Sequence, residues 1–273
     1  MTETKKQFVL LAPTGRAATV LRAKTGLNAK TIHSELYHFS NIDGDAAEDA
    51  TSPGADQFEQ MRLMFTLRPS NDNGKKLYIV DEASMISDEP GEPTSYAHFG
   101  SGYLLSDLLQ TAGNNKIIFS GDPCQLPSVG GIDSPALNEA WMIRHDKVVN
   151  SFELKDILRQ KEGRDILQLA TTVRNLTQLN KYPKWVKLPA ANKRQINLLS
   201  HADQKILYTN HIMQFGSADS IAVCHSNSNC SDINRTVRKV LYHDANAPLL
   251  AGDILMVTQN NYLVPLTTVI SWK

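Results

Sequence analysis

The chain has 273 residues, with 28 Lys and Arg balanced by 28 Asp and Glu, 41% hydrophobic and 21% charged residues. That composition is ordinary for a globular protein of one large or two smaller domains and excludes a chain that is basic or acidic throughout. No apolar run approaches the roughly 20 residues that cross a bilayer. The three cysteines, Cys124, Cys224 and Cys230, are too few for a disulfide framework.

The amino-terminal apolar run is short and leads straight into a polar motif, so the expectation is a cytoplasmic protein without a signal peptide and with no membrane partner. Phe8–Ala12 is a buried strand by pattern, and Pro13, Thr14, Gly15 and Arg16 follow it at the opening of a helix that takes in Ala17–Lys24. Backbone amides and a Thr hydroxyl at such a junction can hold a phosphate. Lys30–Tyr37 reads as a short helical or turn segment. Residues 41–57 contain no aromatic or basic side chain and can bury little, so a mobile insertion is expected over about 38–75.

Further along, strand Leu77–Val80, helix Gly102–Ala112 and strand Lys116–Phe119 predict a β-α-β unit with a parallel sheet and a right-handed crossover. Lys155–Asn175 has apolar residues at roughly helical spacing. Lys181–Asn192, with Pro183 and Pro189, reads as a loop. Ile221–Cys224, Cys230–Tyr242 and Asp253–Val257 then renew the strand–helix–strand pattern. The Cys224, His225 and Cys230 spacing matches no zinc pattern and is read as a strand-to-helix junction.

Two of these strands end abruptly in polar groups. Lys-Leu-Tyr-Ile-Val runs into Asp81 and Glu82, and Ile-Ile-Phe-Ser runs into Gly121, Asp122 and, after Pro-Cys, Gln125. Strands buried on both faces of a parallel sheet release functional groups at their carboxyl ends, where α/β sheets bind ligands. Asp81 is suited to magnesium through bound water, Glu82 to polarising an attacking water, and Gln125 to bonding a terminal phosphate. Blander readings stand beside these: an acid pair favoured by a helix dipole, and an amide that satisfies a turn.

Charge is unevenly spread. From Trp141 to Arg194 there are 12 Lys or Arg against 5 Asp or Glu, and from Ser40 to Phe99 there are 4 against 12. The basic stretch can follow a phosphate backbone or be a solvated helical face.

Leu-Ala-Pro-Thr-Gly-Arg-Ala-Ala at 11–18, Thr-Ile-His at 31–33, Val-Asp-Glu-Ala-Ser at 80–84 and Gly-Asp-Pro-Cys-Gln-Leu-Pro-Ser-Val-Gly at 121–130 come in an order that resembles superfamily 1 DNA helicases of the RecD-like branch. The resemblance implies an α/β chain: a RecA-like parallel sheet flanked by helices over 1–150, then a partial second RecA-like lobe over 151–273. It implies ATP and magnesium as cofactors and single-stranded or forked DNA as partner. Glu82, Gln125 and Arg159, the last reaching the terminal phosphate from the second lobe, would be catalytic. Asp81, Gly121 and Asp122 would hold the nucleotide and its magnesium. Pro13, Thr14, Gly15, Arg16, Thr31, His33 and Asn227 would contact nucleic acid, with a structural role for His33 in a helix cap left open. Arg164 is a positional rival to Arg159.

The 273 residues contain no Gly-x-x-x-x-Gly-Lys-Ser/Thr loop, which the family places before Leu-Ala-Pro-Thr-Gly-Arg, and none of its closing motifs. The chain is therefore expected to be an internal fragment of such a helicase that hydrolyses ATP poorly by itself. The alternative is a non-catalytic remnant that binds single-stranded nucleic acid or a protein partner. An RNA-directed superfamily 1 helicase is a third reading, because related branches share Gly-Asp-x-x-Gln-Leu-Pro.

Overall fold

The computed structural model describes residues 7–43, 62–69, 76–90, 97–125, 134–154, 156, 165–178, 196–216, 220–250, 253–256 and 269–271. They fall into two compact units, Met1–Leu154 and Lys155–Lys273.

In the first unit, four strands form a wholly parallel sheet: β1 (Gln7–Ala12), β2 (Ala29–Thr31), β5 (Lys76–Val80) and β7 (Lys116–Phe119), in the order β2-β1-β5-β7. Leu11 pairs with Val80, Val80 with Phe119 and Ala12 with Thr31, so all four carboxyl ends reach one edge. Helix α1 (Gly15–Thr25) links β1 to β2, and α3 (Leu104–Ala112) lies between β5 and β7 in sequence. A parallel pair needs such a crossover because a hairpin turn cannot return the chain to the same edge.

Local sequence explains the helix limits. Thr14 caps α1 with its Oγ1, which accepts from the Ala17 amide at 3.2 Å, and Gly26 ends the helix at a φ of 69°. On α3, Leu105, Leu108 and Ala112 repeat at helical spacing and are buried with Leu11, Ile32, Leu36, Tyr78, Val80 and Ile86. Truncating one such leucine to alanine costs about 2–5 kcal/mol, from lost burial and the cavity left behind.

The insertion expected over 38–75 is not a loop throughout. β3 (Tyr37–Asp43) and β4 (Arg62–Leu67) pair antiparallel, and β4 pairs in parallel with β6 (Ala97–Phe99), giving a second, three-stranded sheet. Phe39, Phe65 and Phe99 are cross-strand neighbours, with ring centroids 5.7 and 4.8 Å apart, and Phe65 and Phe99 pack against the core. Aromatic pairs across a sheet add to its stability. The acidic composition of the interval masked these flanking strands; residues 44–61 lie outside the described part. Short helix α2 (Ile32–Leu36) joins β2 to β3, and α4 (Glu139–Arg144) follows a 3-10 turn at Pro135–Leu137.

The second unit contains α5 (Asp165–Gln178), α6 (His201–Phe215) and α7 (Asn227–Tyr242), with β8 (Ile254–Met256) antiparallel to β9 (Val269–Ser271). The expected strand at Ile221–Cys224 does not form: Ile221 and Val223 are 76% and 90% exposed, and no strand among the described residues pairs with that segment. Among the described residues, the parallel β-α-β pattern expected of a second RecA-like lobe is therefore replaced by helices and an antiparallel pair. The loop expected at Lys181–Asn192 lies outside the described residues.

Candidate functional site

The carboxyl edge of the parallel sheet gathers most of the residues singled out in the sequence. At the end of β5, the Asp81 amide continues the ladder by donating to the Leu11 carbonyl at 2.9 Å. Glu82 then turns the chain sharply, with φ 52° and ψ 39°. A non-glycine residue in this left-handed region costs about 1–2 kcal/mol, because Cβ crowds its own carbonyl. The turn lets the Ala83 amide donate to the Ser120 carbonyl at 2.8 Å and starts a 3-10 turn over Ala83–Met85. Ala83, Ser84 and Ile86 are fully buried beneath it, so the acidic pair stands on a rigid floor. Among the described residues, the Ser84 hydroxyl in that floor has no hydrogen-bond partner.

Next to it, the Ser120 amide donates to the Val80 carbonyl at 2.8 Å and Gly121 follows. A Cβ on Gly121 would lie 2.9 Å from the Ser84 nitrogen and 3.0 Å from the Ala83 nitrogen, so only glycine allows the ends of β5 and β7 to approach so closely. Asp122 closes a small turn: its Oδ1 accepts from the Cys124 amide at 3.0 Å and its carbonyl from the Gln125 amide at 3.0 Å. Gln125 is exposed at the end of that turn.

The other two strands deliver the second group. Pro13, Thr14, Gly15 and Arg16 lead from β1 into α1, whose first turn holds no acidic residue and whose Arg16 is exposed. Thr31 ends β2 opposite Ala12 and caps α2 by accepting from the Ser34 amide at 3.2 Å. His33 is half-buried, its ring 5.0 Å from Phe99 in edge-on contact and 5.8 Å from Tyr37. Burial lowers its pKa below the usual 6.5, so near neutral pH the ring is uncharged. Thr31, not His33, is the helix cap. A neutral imidazole held by aromatic neighbours can stack or share one hydrogen bond, but it does not supply a cation to a phosphate.

Order along the sheet separates the two groups. The residues after β2 and β1 occupy one side of the edge, and Asp81, Glu82, Gly121 and Asp122 occupy the other. Arg159 and its rival Arg164 lie outside the described residues. Asn227 opens α7 in the second unit, exposed, beside the cap Ser226, whose Oγ accepts from the Asn229 amide at 3.2 Å.

Sequence reading missed a polar joint beneath the edge. Asp107, only 1% exposed, accepts from the Tyr37 hydroxyl at 2.7 Å, the Ser101 hydroxyl at 2.7 Å and the Ser101 amide at 3.0 Å. Desolvation first, and then Asp107, raise the Tyr37 pKa far above its ordinary value of 10. Asp88 accepts from the Ser106 amide and hydroxyl at 2.8 and 2.9 Å, so it satisfies the amino end of α3 from outside the helix. The available signal was a single acid among leucines in Leu-Leu-Ser-Asp-Leu-Leu, at the helical spacing of the buried face.

With this geometry in view, a protein-family model described as an AAA domain matches residues 1–182. The chain belongs to that family. An AAA domain is a P-loop nucleotide-triphosphatase fold, and its parallel sheet flanked by helices agrees with the four strands described above. In this AAA domain no helix among the described residues is long and apolar enough to cross a membrane, and no cluster of three His, Cys, Asp or Glu is placed to hold a metal.

A single carboxylate pair still fits magnesium, which keeps much of its water and usually takes one or two carboxylates beside substrate phosphates. Asp81 and Glu82, on the fixed turn at the end of β5, are such a pair.

Proposed function

We propose that this AAA domain is part of a RecD-like DNA helicase that couples ATP hydrolysis to movement along single-stranded DNA. One observation carries the reading: the parallel sheet sends its phosphate-chemistry candidates to the β5 and β7 side of one edge and its nucleic-acid candidates to the β1 and β2 side. The two kinds of ligand would then share a rigid base and separate pockets.

Bound magnesium nucleotide would supply the scissile phosphoanhydride and the ion that neutralises its charge. Asp81 would hold the ion through water. Glu82, on its left-handed turn, would orient a water and take its proton. Gly121 would keep the ends of β5 and β7 close together beside the nucleotide, and Gln125 would report on the terminal phosphate. Arg159 would stabilise charge on the terminal phosphate, a role suited to its planar guanidinium. On the other side, Thr14, Gly15 and Arg16 at the amino end of α1 would hold DNA phosphates, with Pro13 setting the turn. His33 would stack, Thr31 would fix its helix, and Asn227 would contact the strand from the second unit.

A second reading is favoured by a specific feature: the 273 residues contain no Gly-x-x-x-x-Gly-Lys-Ser/Thr loop. Without that ring of amides and its lysine, two carboxylates repel a polyphosphate, and the chain by itself would bind single strands without turnover.

Phosphate release with and without single-stranded DNA, beside strand binding at two salt concentrations, separates the readings. Turnover that falls by about 100-fold or more in Glu82→Gln supports the motor. Salt-sensitive binding without turnover supports the strand-binding remnant. Neither binding nor turnover rejects both.

A further inference from the structure

We infer that Asp107 is a positioning residue that joins the loop carrying Asp81 and Glu82 to the helix carrying His33, so that occupancy of one side of the edge is felt at the other. This rests on the reading that the Thr31–His33 element meets single-stranded DNA.

The joint is continuous. From Glu82 the chain passes through the 3-10 turn at Ala83–Met85 and buried Ile86 to Ser87 and Asp88. Both of these hold the amino end of α3: the Ser87 carbonyl accepts from the Leu105 amide at 3.3 Å, and Asp88 accepts twice from Ser106. One residue further on, Asp107 takes the Tyr37 hydroxyl. Tyr37 in turn closes α2, its amide donating to the His33 carbonyl, while its ring and that of His33 both meet Phe99.

Gly100 marks how closely the parts fit. Its φ is 48°, and any side chain there would collide with the Asp107 carboxylate and the Tyr37 ring. A buried carboxylate with three donors has few other places to put its charge, so α3 and Tyr37 move together or not at all. Packed side chains and hydrogen bonds of this kind can carry coupling between sites, provided that the coupling itself is measured.

Amide hydrogen exchange of the full chain, with and without a single-stranded oligothymidylate, measures it. DNA bound at the α2 element should slow exchange at 31–37 and also, by about fivefold or more, at Leu105 and Ser106. Tyr37→Phe keeps the ring and removes only the link to Asp107. In that variant, protection should persist at 31–37 and disappear at Leu105 and Ser106, while affinity for the oligomer changes less than about threefold.

Asp107→Leu should behave in the same way. Asp107→Asn should retain the distant protection, because its amide oxygen can still accept from Tyr37 and Ser101 while its NH2 faces the Ser101 hydroxyl. A wild-type chain that binds DNA with protection confined to 31–37 overturns the inference, as does distant protection that survives Tyr37→Phe. If the oligomer does not bind at all, the DNA-binding reading fails, and this inference falls with it.

Discussion

The two units use different means of cohesion. In the first, Leu11, Ile32, Leu36, Val80, Ile86, Leu105 and Leu108 are completely buried around the parallel sheet. In the second, the buried residues among those described are Thr209 and Ile212, both on α6. Among these described residues, polar clasps are more prominent than apolar burial. Arg238 on α7 donates to Asp253 at 2.6 Å and to the Ala247 and Pro248 carbonyls at 2.7 and 2.8 Å. The Tyr242 hydroxyl meets the other oxygen of Asp253 at 3.1 Å, and Lys205 on α6 pairs with Asp232 on α7. Apolar burial scales with area and forgives small shifts, whereas a clasp of charged groups depends on each partner. The first unit is thus equipped to hold a sheet edge still, and among the described residues of the second the links are made by a few polar side chains.

The sharpest test of that contrast is a pair of truncations. Leu105→Ala should destabilise the first unit by about 2–5 kcal/mol. Ile206→Ala, at a side chain 60% exposed on α6, should change stability by less than about 0.5 kcal/mol. Urea unfolding followed by amide exchange, which resolves the units, checks both. Equal losses would mean that the exposed face of α6 is covered in solution.

A smaller effect is expected from Arg238→Ala, which should lower the stability of the second unit by about 1–2 kcal/mol and leave the first unchanged. The Arg238 guanidinium, with the Leu250 amide and the Tyr242 hydroxyl, holds the Asp253 pKa below its usual 3.8. The unfolded chain therefore takes up a proton there first as pH falls. This clasp stabilises the fold in full above pH 3.8, and its contribution is lost as pH drops through the lowered folded value. Acid titration of the second unit's exchange protection should show the decline in wild type and a flatter profile in Arg238→Ala.

Within the first unit, the strained turn is an exception to close packing. Glu82→Gly should raise stability by about 1 kcal/mol by removing the left-handed penalty, partly offset by the flexibility that glycine adds to the unfolded chain. It should also abolish any DNA-stimulated phosphate release. Thermal melts and the release assay on the same samples test this; a variant both less stable and equally active would remove Glu82 from its proposed role.

The smallest expected effect is at His33. Burial lowers its folded pKa below 6.5, so the unfolded state binds the proton more readily. Its contribution is complete above the unfolded value and is lost as pH falls below about 6.5 toward the folded one. His33→Phe should flatten this part of the stability profile, as measured by urea midpoints between pH 5 and 8. An unchanged slope would show that the ring is more solvated than its contacts with Phe99 and Tyr37 imply.

Much of the sheet was legible in advance because buried parallel strands are short, continuous apolar runs with abrupt polar ends. Phe8–Ala12, Leu77–Val80 and Lys116–Phe119 all lie in strands, and the helix expected at Gly102–Ala112 forms over Leu104–Ala112. Edge and inserted strands were less legible. Arg62–Leu67 sits beside an acidic stretch, and its apolar residues are only half-buried, so composition concealed it. Ile221–Cys224 has the composition of a strand, yet Ile221 and Val223 stand largely exposed.

Local chemistry was written in the chain itself. Thr14 and Thr31 cap their helices, Gly26 ends one, and apolar runs deliver Asp81, Glu82, Gly121 and Asp122 to one edge, since each of these depends on neighbours within a few residues. Tertiary structure alone decided what depends on distant partners. It put Tyr37 on Asp107, 70 residues away in the chain. It pressed Gly121 against the Ser84 amide, bent Glu82 into a left-handed turn, and buried His33 among aromatic rings until its charge was suppressed. Helix caps and strand periods are short-range effects, whereas burial, close approach and electrostatic environment belong to the packed molecule.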